Sequence, residues 1–294
     1  MSEATPHNDI ATKQVVYTMP RVCDAIARRE IEFLAADGTA LKMDVYHPPD
    51  SGLDTRAPLV VIIAGYPDAG FERIVGCKFK DMGSTTSWAR LIAASGMAAI
   101  AYTNREPIGD LHAVLEHVRQ NAAALHVDEN RLGIWASSGN VPLALSLLMD
   151  DAPARVTCAA LFYGYTLDLH GATGVAETAR AFGFVNPCAG KRVDDLRPDI
   201  PLFLARAGKD QMPGVNVAMD RFLQDVVTTN RPITFVNHAA GPHAFDVLDD
   251  SHTSREIVKR ALSFLRFALD GPASRRRQDT AGAGSHCDAS RVPR

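Results

Sequence analysis

Cysteine is scarce: the 294 residues hold five, Cys23, Cys77, Cys158, Cys188 and Cys287, odd in number and with no C-x-x-C pair. That pattern excludes a disulfide framework and a thiolate metal site, and reduced thiols in a cytosol are the natural reading. An excess of one charge is missing too, since 31 Lys+Arg stand against 34 Asp+Glu for a net charge of −3. Without a one-signed field, neither nucleic acid nor an anionic membrane surface is expected as a partner. Long apolar runs are lacking. Stretches such as Pro58 to Ala64 are far too short to span a bilayer, and the first residues show no apolar core behind a basic start, so a cytoplasmic protein is expected. There is no H-E-x-x-H, and His112 and His117 are five apart and share no helical face, so no metal and no other cofactor is expected.

What the chain does have is apolar residues, 46% of the total, set out in runs of strand length that alternate with segments of helical period. This is the pattern of an α/β domain with a mostly parallel central sheet flanked by helices. Residues 31–48 read as two strands joined at Asp37-Gly38, a favoured hairpin turn. Strands follow at 58–65, 97–103, 131–136, 156–164, 200–208 and 232–238, with helices at 87–96, from Asp110, and at 141–149, 217–227 and 254–269. In the helix opened by Asp110, the residues Leu111, Val114, Leu115 and Val118 make one apolar stripe. Residues 1–15 and 271–294 carry little large apolar surface and are expected to be loose, which leaves a single domain at 16–270. The run Arg275-Arg276-Arg277 has no interleaved aromatics and reads as a solvated terminus.

Chemistry concentrates at three strand ends. At LGIWASSGNVPL (132–143) a buried strand runs into a cluster of small residues and then directly into a helix, the setting in which a tight G-x-S-x-G turn projects a serine hydroxyl from the sheet edge. On that template Ala136 and Asn140 take the two glycine positions and Ser138 is the nucleophile. Ser137 is the rival, but it would put bulky Trp135 where a small side chain is needed. A serine hydroxyl requires an imidazole to take its proton and a carboxylate to hold that imidazole. Asp210 lies just beyond the strand at 200–208 and His243 just beyond the strand at 232–238, both in loops at carboxyl ends of strands, where sites of open α/β sheets gather. His238 is still within its strand, and His252 opens the last helical region. An oxyanion needs donors as well, which the backbone N–H groups of Gly139 and of Tyr66, in the turn AGYPDAG, would supply.

With these pieces assembled, the chain over roughly residues 29–270 resembles the α/β-hydrolase superfamily, and within it the dienelactone-hydrolase-like and carboxylesterase-like branch. The motifs that carry the likeness are VVIIAGYPDAG, DENRLGIWASSGN, PLFLARAGKDQM and AAGPHAFD. The resemblance implies an α/β-hydrolase fold with Ser138 as nucleophile, Asp210 as acid, His243 as base, and Gly139 and Tyr66 as oxyanion donors. Three departures are visible: Ala64 where the family often has His, Ala136 and Asn140 in place of the elbow glycines, and Ser138 where dienelactone hydrolases usually carry Cys.

Residues 165–199 are too long for an ordinary connection between strand and helix, and form a candidate lid and specificity insertion. Within it Phe182, Phe184 and Val185 either line a substrate pocket or pack the insertion onto the body. With no basic pair for a phosphate, a small or medium carboxylic ester is the expected substrate. Two alternatives stand beside it: the same residues acting on a lactone, peptide or carbon–carbon bond, and a non-catalytic ligand-binding member of the fold. The oligomeric state is not legible.

Overall fold

The runs of apolar residues become the strands of one eight-stranded sheet in a computed structural model that describes residues 8–49, 56–149, 156–169 and 174–271. The strands are β1 (Arg28–Leu34), β2 (Ala40–Tyr46), β3 (Ala57–Ile62), β4 (Ala98–Tyr102), β5 (Val127–Ser137), β6 (Val156–Phe162), β7 (Leu202–Ala207) and β8 (Ile233–His238). Their order is β1-β2-β4-β3-β5-β6-β7-β8. β1 pairs antiparallel with β2 through the expected hairpin, and β2 pairs antiparallel with β4. From β4 to β8 every neighbour is parallel. Every residue of β3 and β4 is buried, as continuous apolar strands covered on both faces must be.

The helices are α1 (Asn8–Thr12), α2 (Pro20–Cys23), α3 (Asp68–Val75), α4 (Gly83–Ala94), α5 (Pro107–Asn121), α6 (Val141–Leu147), α7 (Val175–Phe182), α8 (Val215–Thr228), α9 (Phe245–Leu248) and α10 (His252–Asp270). The stripe Leu111, Val114, Leu115 and Val118 is the buried face of α5. That helix begins three residues before Asp110, because Pro107 suits the first helical position and the Glu106 side chain caps it by accepting from the Gly109 N–H. Asp110 instead reaches back to accept from the N–H groups of Arg105 and Glu106, at 2.7 and 2.9 Å. In α10, Ile257, Val258, Ala261, Leu262, Leu265 and Leu269 recur at helical period and turn inward, packing against β5 and β6.

The segment expected to be loose up to residue 15 is instead seated on the body over its last residues. Val15 is buried, with its N–H donated to Ser87 Oγ at 2.9 Å, and the Val16 N–H is donated to the carbonyl of Asp246 at 2.8 Å. Burial of one apolar side chain and pairing of two backbone donors give this arm the anchorage its composition hides. Residues 1–7 and the tail at 272–294 lie outside the described residues.

Beneath the end of β5 the core is aromatic. Trp88 of α4 meets Trp135 of β5 at 4.8 Å and Phe162 of β6 at 5.3 Å between ring centroids. Its indole N–H is donated to the buried carboxylate of Asp246 at 2.7 Å. Trp88→Phe keeps most of the packing but leaves that carboxylate one donor short. The expected result is a loss of about 1–3 kcal/mol in stability, read as a lower urea midpoint at an unchanged slope.

Candidate active site

β5 carries the chain to Ser137, a single turn of tight helix over Ser138–Asn140 follows, and α6 starts at Val141 with Pro142 in its first turn. Ser138 has φ of +53°, in the left-handed region that a side chain enters only at a cost of order 1–3 kcal/mol. That sharp bend turns the hydroxyl out of the strand instead of along it. Ala136 is fully buried within β5, and Asn140 has φ −83° and ψ −16°, a conformation open to any residue. The backbone therefore does not require glycine at 140.

Asn140 also braces the turn. Its Oδ1 accepts the Gly65 N–H at 2.7 Å, tying the loop after β3 to the bend after β5. The two backbones approach so closely that a Cβ on Gly65 would lie 2.9 Å from both Asn140 Cα and the carbonyl oxygen of Gly139, which only glycine avoids. The Gly65 carbonyl accepts from the Val185 N–H at 2.9 Å. This pins the peptide between residues 65 and 66, and directs the Tyr66 N–H away from Val185. Gly139 lies in the first turn of the tight helix, where N–H groups lack an acceptor within it.

The sequence places Ser138, Asp210 and His243 after three different strands, and the fold brings them together. His243 Nε2 is 2.9 Å from Ser138 Oγ, and His243 Nδ1 is 2.7 Å from Asp210 Oδ2. The Asp210 side chain is fully buried, and its other oxygen accepts the Met212 N–H at 2.8 Å. A carboxylate only accepts, so Nδ1 carries the proton and Nε2 is left to accept from the serine hydroxyl. The two loops are held in step: the Gly208 N–H is donated to the His238 carbonyl at 2.8 Å and the Lys209 N–H to that of Gly241 at 2.9 Å. Chemically, such a chain can take the proton of Ser138 and stabilise the imidazolium that forms.

Behind His243 lies a second carboxylate that sequence reasoning did not single out. The Tyr163 ring stands edge-on to the imidazole at 4.9 Å, and its hydroxyl donates to Asp246 Oδ1 at 2.5 Å. Asp246, buried and also held by Trp88, has its carboxyl pushed above the usual carboxylate range by burial, which the hydrogen bonds from Tyr163 and Trp88 oppose only in part. The one signal in the sequence was its place three residues after His243. His238 belongs to another cluster: it is buried, with Nε2 2.9 Å from Asp249 Oδ2 and 3.0 Å from Ser254 Oγ, so it anchors the start of α10.

Of the three pocket residues named from the insertion, Phe184 comes to the site. It is buried, stacks on Tyr165 at 5.1 Å and meets Tyr66 edge-on at 5.8 Å. Val185 is half-buried and holds Gly65 through its backbone. Phe182 is 42% exposed, because the buried residues of α7 are Val175 and Ala179 and the helix ends before its last side chain is covered. Among the described residues, no group of three or more His, Cys, Asp or Glu could hold a metal ion, and no helix is long and apolar enough to cross a membrane.

The Asp246 environment sets a pH signature in stability. Its native pKa lies above the unfolded value near 4, so its contribution is complete below that pH and is lost as pH rises through the native value. Asp246→Asn has no such titration. The stability advantage of the parent over this variant, from urea unfolding, is expected to shrink from pH 4 to pH 7. An advantage that grows with pH contradicts the assignment.

No family model and no curated protein sequence matches the chain. Solved structures do match. A bacterial heroin esterase superposes with a TM-score of 0.65 at 15% identity, over 85% of this chain and 86% of that one. A thermostable esterase from Pseudomonas putida gives 0.66 at 15% identity, over 85% of each chain. The esterase LipW from Mycobacterium marinum gives 0.63 at 16% identity, over 92% of this chain and 98% of that one. Strand order, the strained serine turn and these superpositions together establish that the chain has the α/β-hydrolase fold.

Proposed function

We propose that the protein is a serine hydrolase of small or medium carboxylic esters, working through an acyl-enzyme. The observation that carries this reading is the hydrogen-bonded chain Asp210–His243–Ser138, at 2.7 and 2.9 Å, ending on a serine held at positive φ. Esters are favoured over other bonds because the superposable structures named above are esterases.

In this reading Ser138 Oγ attacks the ester carbonyl while His243 Nε2 takes its proton, and the C=O electron pair moves onto oxygen. The N–H groups of Gly139 and Tyr66 receive that oxyanion. Collapse breaks the ester C–O bond, and the imidazolium returns the proton to the leaving alcohol. Water, deprotonated by the same imidazole, then attacks the acyl carbon, the C–Oγ bond to Ser138 breaks to release the acid, and the imidazolium returns the proton to Ser138 Oγ. Asp210 holds the tautomer and offsets the charge on the imidazolium. Residues 165–199 are the specificity insertion, with Phe184 against the site. No step uses a metal.

Ser138→Ala is expected to lower kcat on a p-nitrophenyl ester by about 10⁴ to 10⁶ with the fold intact, and His243→Ala to be about as damaging. Asp210→Asn is expected to lower it by up to about 10⁴. A fluorophosphonate should label Ser138, and EDTA should leave turnover unchanged. Labelling at Ser137, or full activity in Ser138→Ala, overturns the assignment. A panel of esters, lactones and peptides tests the bond: faster turnover of lactones or peptides contradicts the ester reading while leaving the nucleophile in place.

A further inference from the structure

The Tyr66 ring is half-buried, wedged between Phe71 at 5.7 Å and Phe184 at 5.8 Å. Its hydroxyl nevertheless has no hydrogen-bond partner among the described residues. The hydroxyl of Tyr165 is also unpartnered, but that oxygen is sealed from solvent, and the Tyr66 oxygen is not. The position of the Tyr66 hydroxyl follows from what surrounds Gly139. A Cβ on Gly139 would fall 2.8 Å from Tyr66 Cζ, closer still to the Tyr66 oxygen, and 2.7 Å from Phe184 Cδ1. The absent side chain of Gly139 is therefore what lets the phenol descend onto the residue directly after Ser138. Burial drives the phenol pKa well upward, so the group stays an O–H donor across the working range of an imidazole base.

An accessible donor without a protein acceptor, set beside the residue whose N–H would meet an oxyanion, has an evident use. We infer that the Tyr66 side-chain hydroxyl donates a hydrogen bond to the substrate carbonyl oxygen as it becomes an oxyanion, beside the Gly139 N–H and in place of the Tyr66 N–H, because the amide nitrogen and the hydroxyl of one tyrosine are too far apart to reach the same oxygen. This rests on the serine-esterase reading. The Ser138 Oγ–C bond forms, the C=O pair moves to oxygen, the serine proton goes to His243, and Tyr66 keeps its proton throughout. A hydroxyl donating to an oxyanion forms a shorter and stronger bond than to a neutral carbonyl, so the effect falls on the transition state more than on binding.

Tyr66→Phe removes the oxygen and keeps the ring against Phe71 and Phe184. On p-nitrophenyl acetate, kcat is expected to fall about 100-fold with KM changed by less than about 3-fold, the effect of losing one oxyanion donor. A fluorophosphonate should still label Ser138 in this variant, more slowly, and thermal unfolding should show an intact fold. Phe71→Leu serves as the second variant, since it loosens the packing of the ring and leaves the hydroxyl; it is expected to keep most of kcat. If the parent hydrolyses esters and Tyr66→Phe stays within about 3-fold of it, the hydroxyl is no donor, and the serine-esterase reading survives. Equal losses in Tyr66→Phe and Phe71→Leu assign the effect to packing and also overturn the inference. If the parent neither turns over esters nor takes the label at Ser138, the serine-esterase reading falls, and this inference with it.

Discussion

The geometry of the site depends on one close approach: the backbone leaving β3 is pressed against the backbone bending out of β5. At Gly65 there is no room for a side chain, and the approach is locked by one hydrogen bond from the Gly65 N–H to Asn140 Oδ1. That single bond acts on two functional loops at once. It fixes the turn in which Ser138 is strained, and it fixes the peptide from which the Tyr66 N–H emerges. On the proposed esterase reading this matters, because donors aimed at a developing charge are useful only if their positions are settled before the reaction. The insertion adds a third tie, because Val185 holds the other side of the same glycine.

His243 is set between two carboxylates with opposite circumstances. Asp210 accepts from the ring itself and from the Met212 N–H, so its negative charge is directly matched. Asp246 is linked to the ring through Tyr163, which meets the imidazole in a T-shaped contact and donates its hydroxyl to the carboxyl. Burial raises the proton affinity of Asp246, whereas its two donors favour the charged form. The same residue takes the indole N–H of Trp88 on its side chain and the Val16 N–H on its backbone. The loop carrying His243 is thus fastened to the aromatic core and to the N-terminal arm.

Most of the sheet was legible because parallel strands buried on both faces must be written in continuous apolar residues, as β3 and β4 are. Ser138 and Asp210 follow largely buried strands of this kind, whereas His243 follows the mostly uncovered edge strand β8, and the strand ends mark where these side chains converge. What escaped the sequence reading depends on partners far apart in the chain. The helix start at Pro107 was hidden because Asp110 is an equally good cap on paper, and only the fold shows that it bonds back to residues 105 and 106. The seating of Val15 and Val16 depends on Ser87 and Asp246, which no local pattern announces. Phe182 and Phe184 look alike in sequence; the helix end between them exposes the first and buries the second.

The departures at the serine turn have a physical account. In a G-x-S-x-G turn the outer glycines allow close approach of neighbouring backbone. Here Ala136 is small enough to be buried in β5 without displacing its neighbours, and Asn140 sits in an ordinary right-handed conformation. The glycine that is needed has moved across the interface, to Gly65 on the opposing loop, while the side chain at 140 fills the space with a hydrogen bond instead of leaving it empty. The tolerance of the turn is therefore a property of the pair of loops: a side chain is admitted on one of them when the other gives up its own. A motif written for one strand end cannot express that exchange, which is why the turn departs from its pattern in sequence and keeps the strained serine in space.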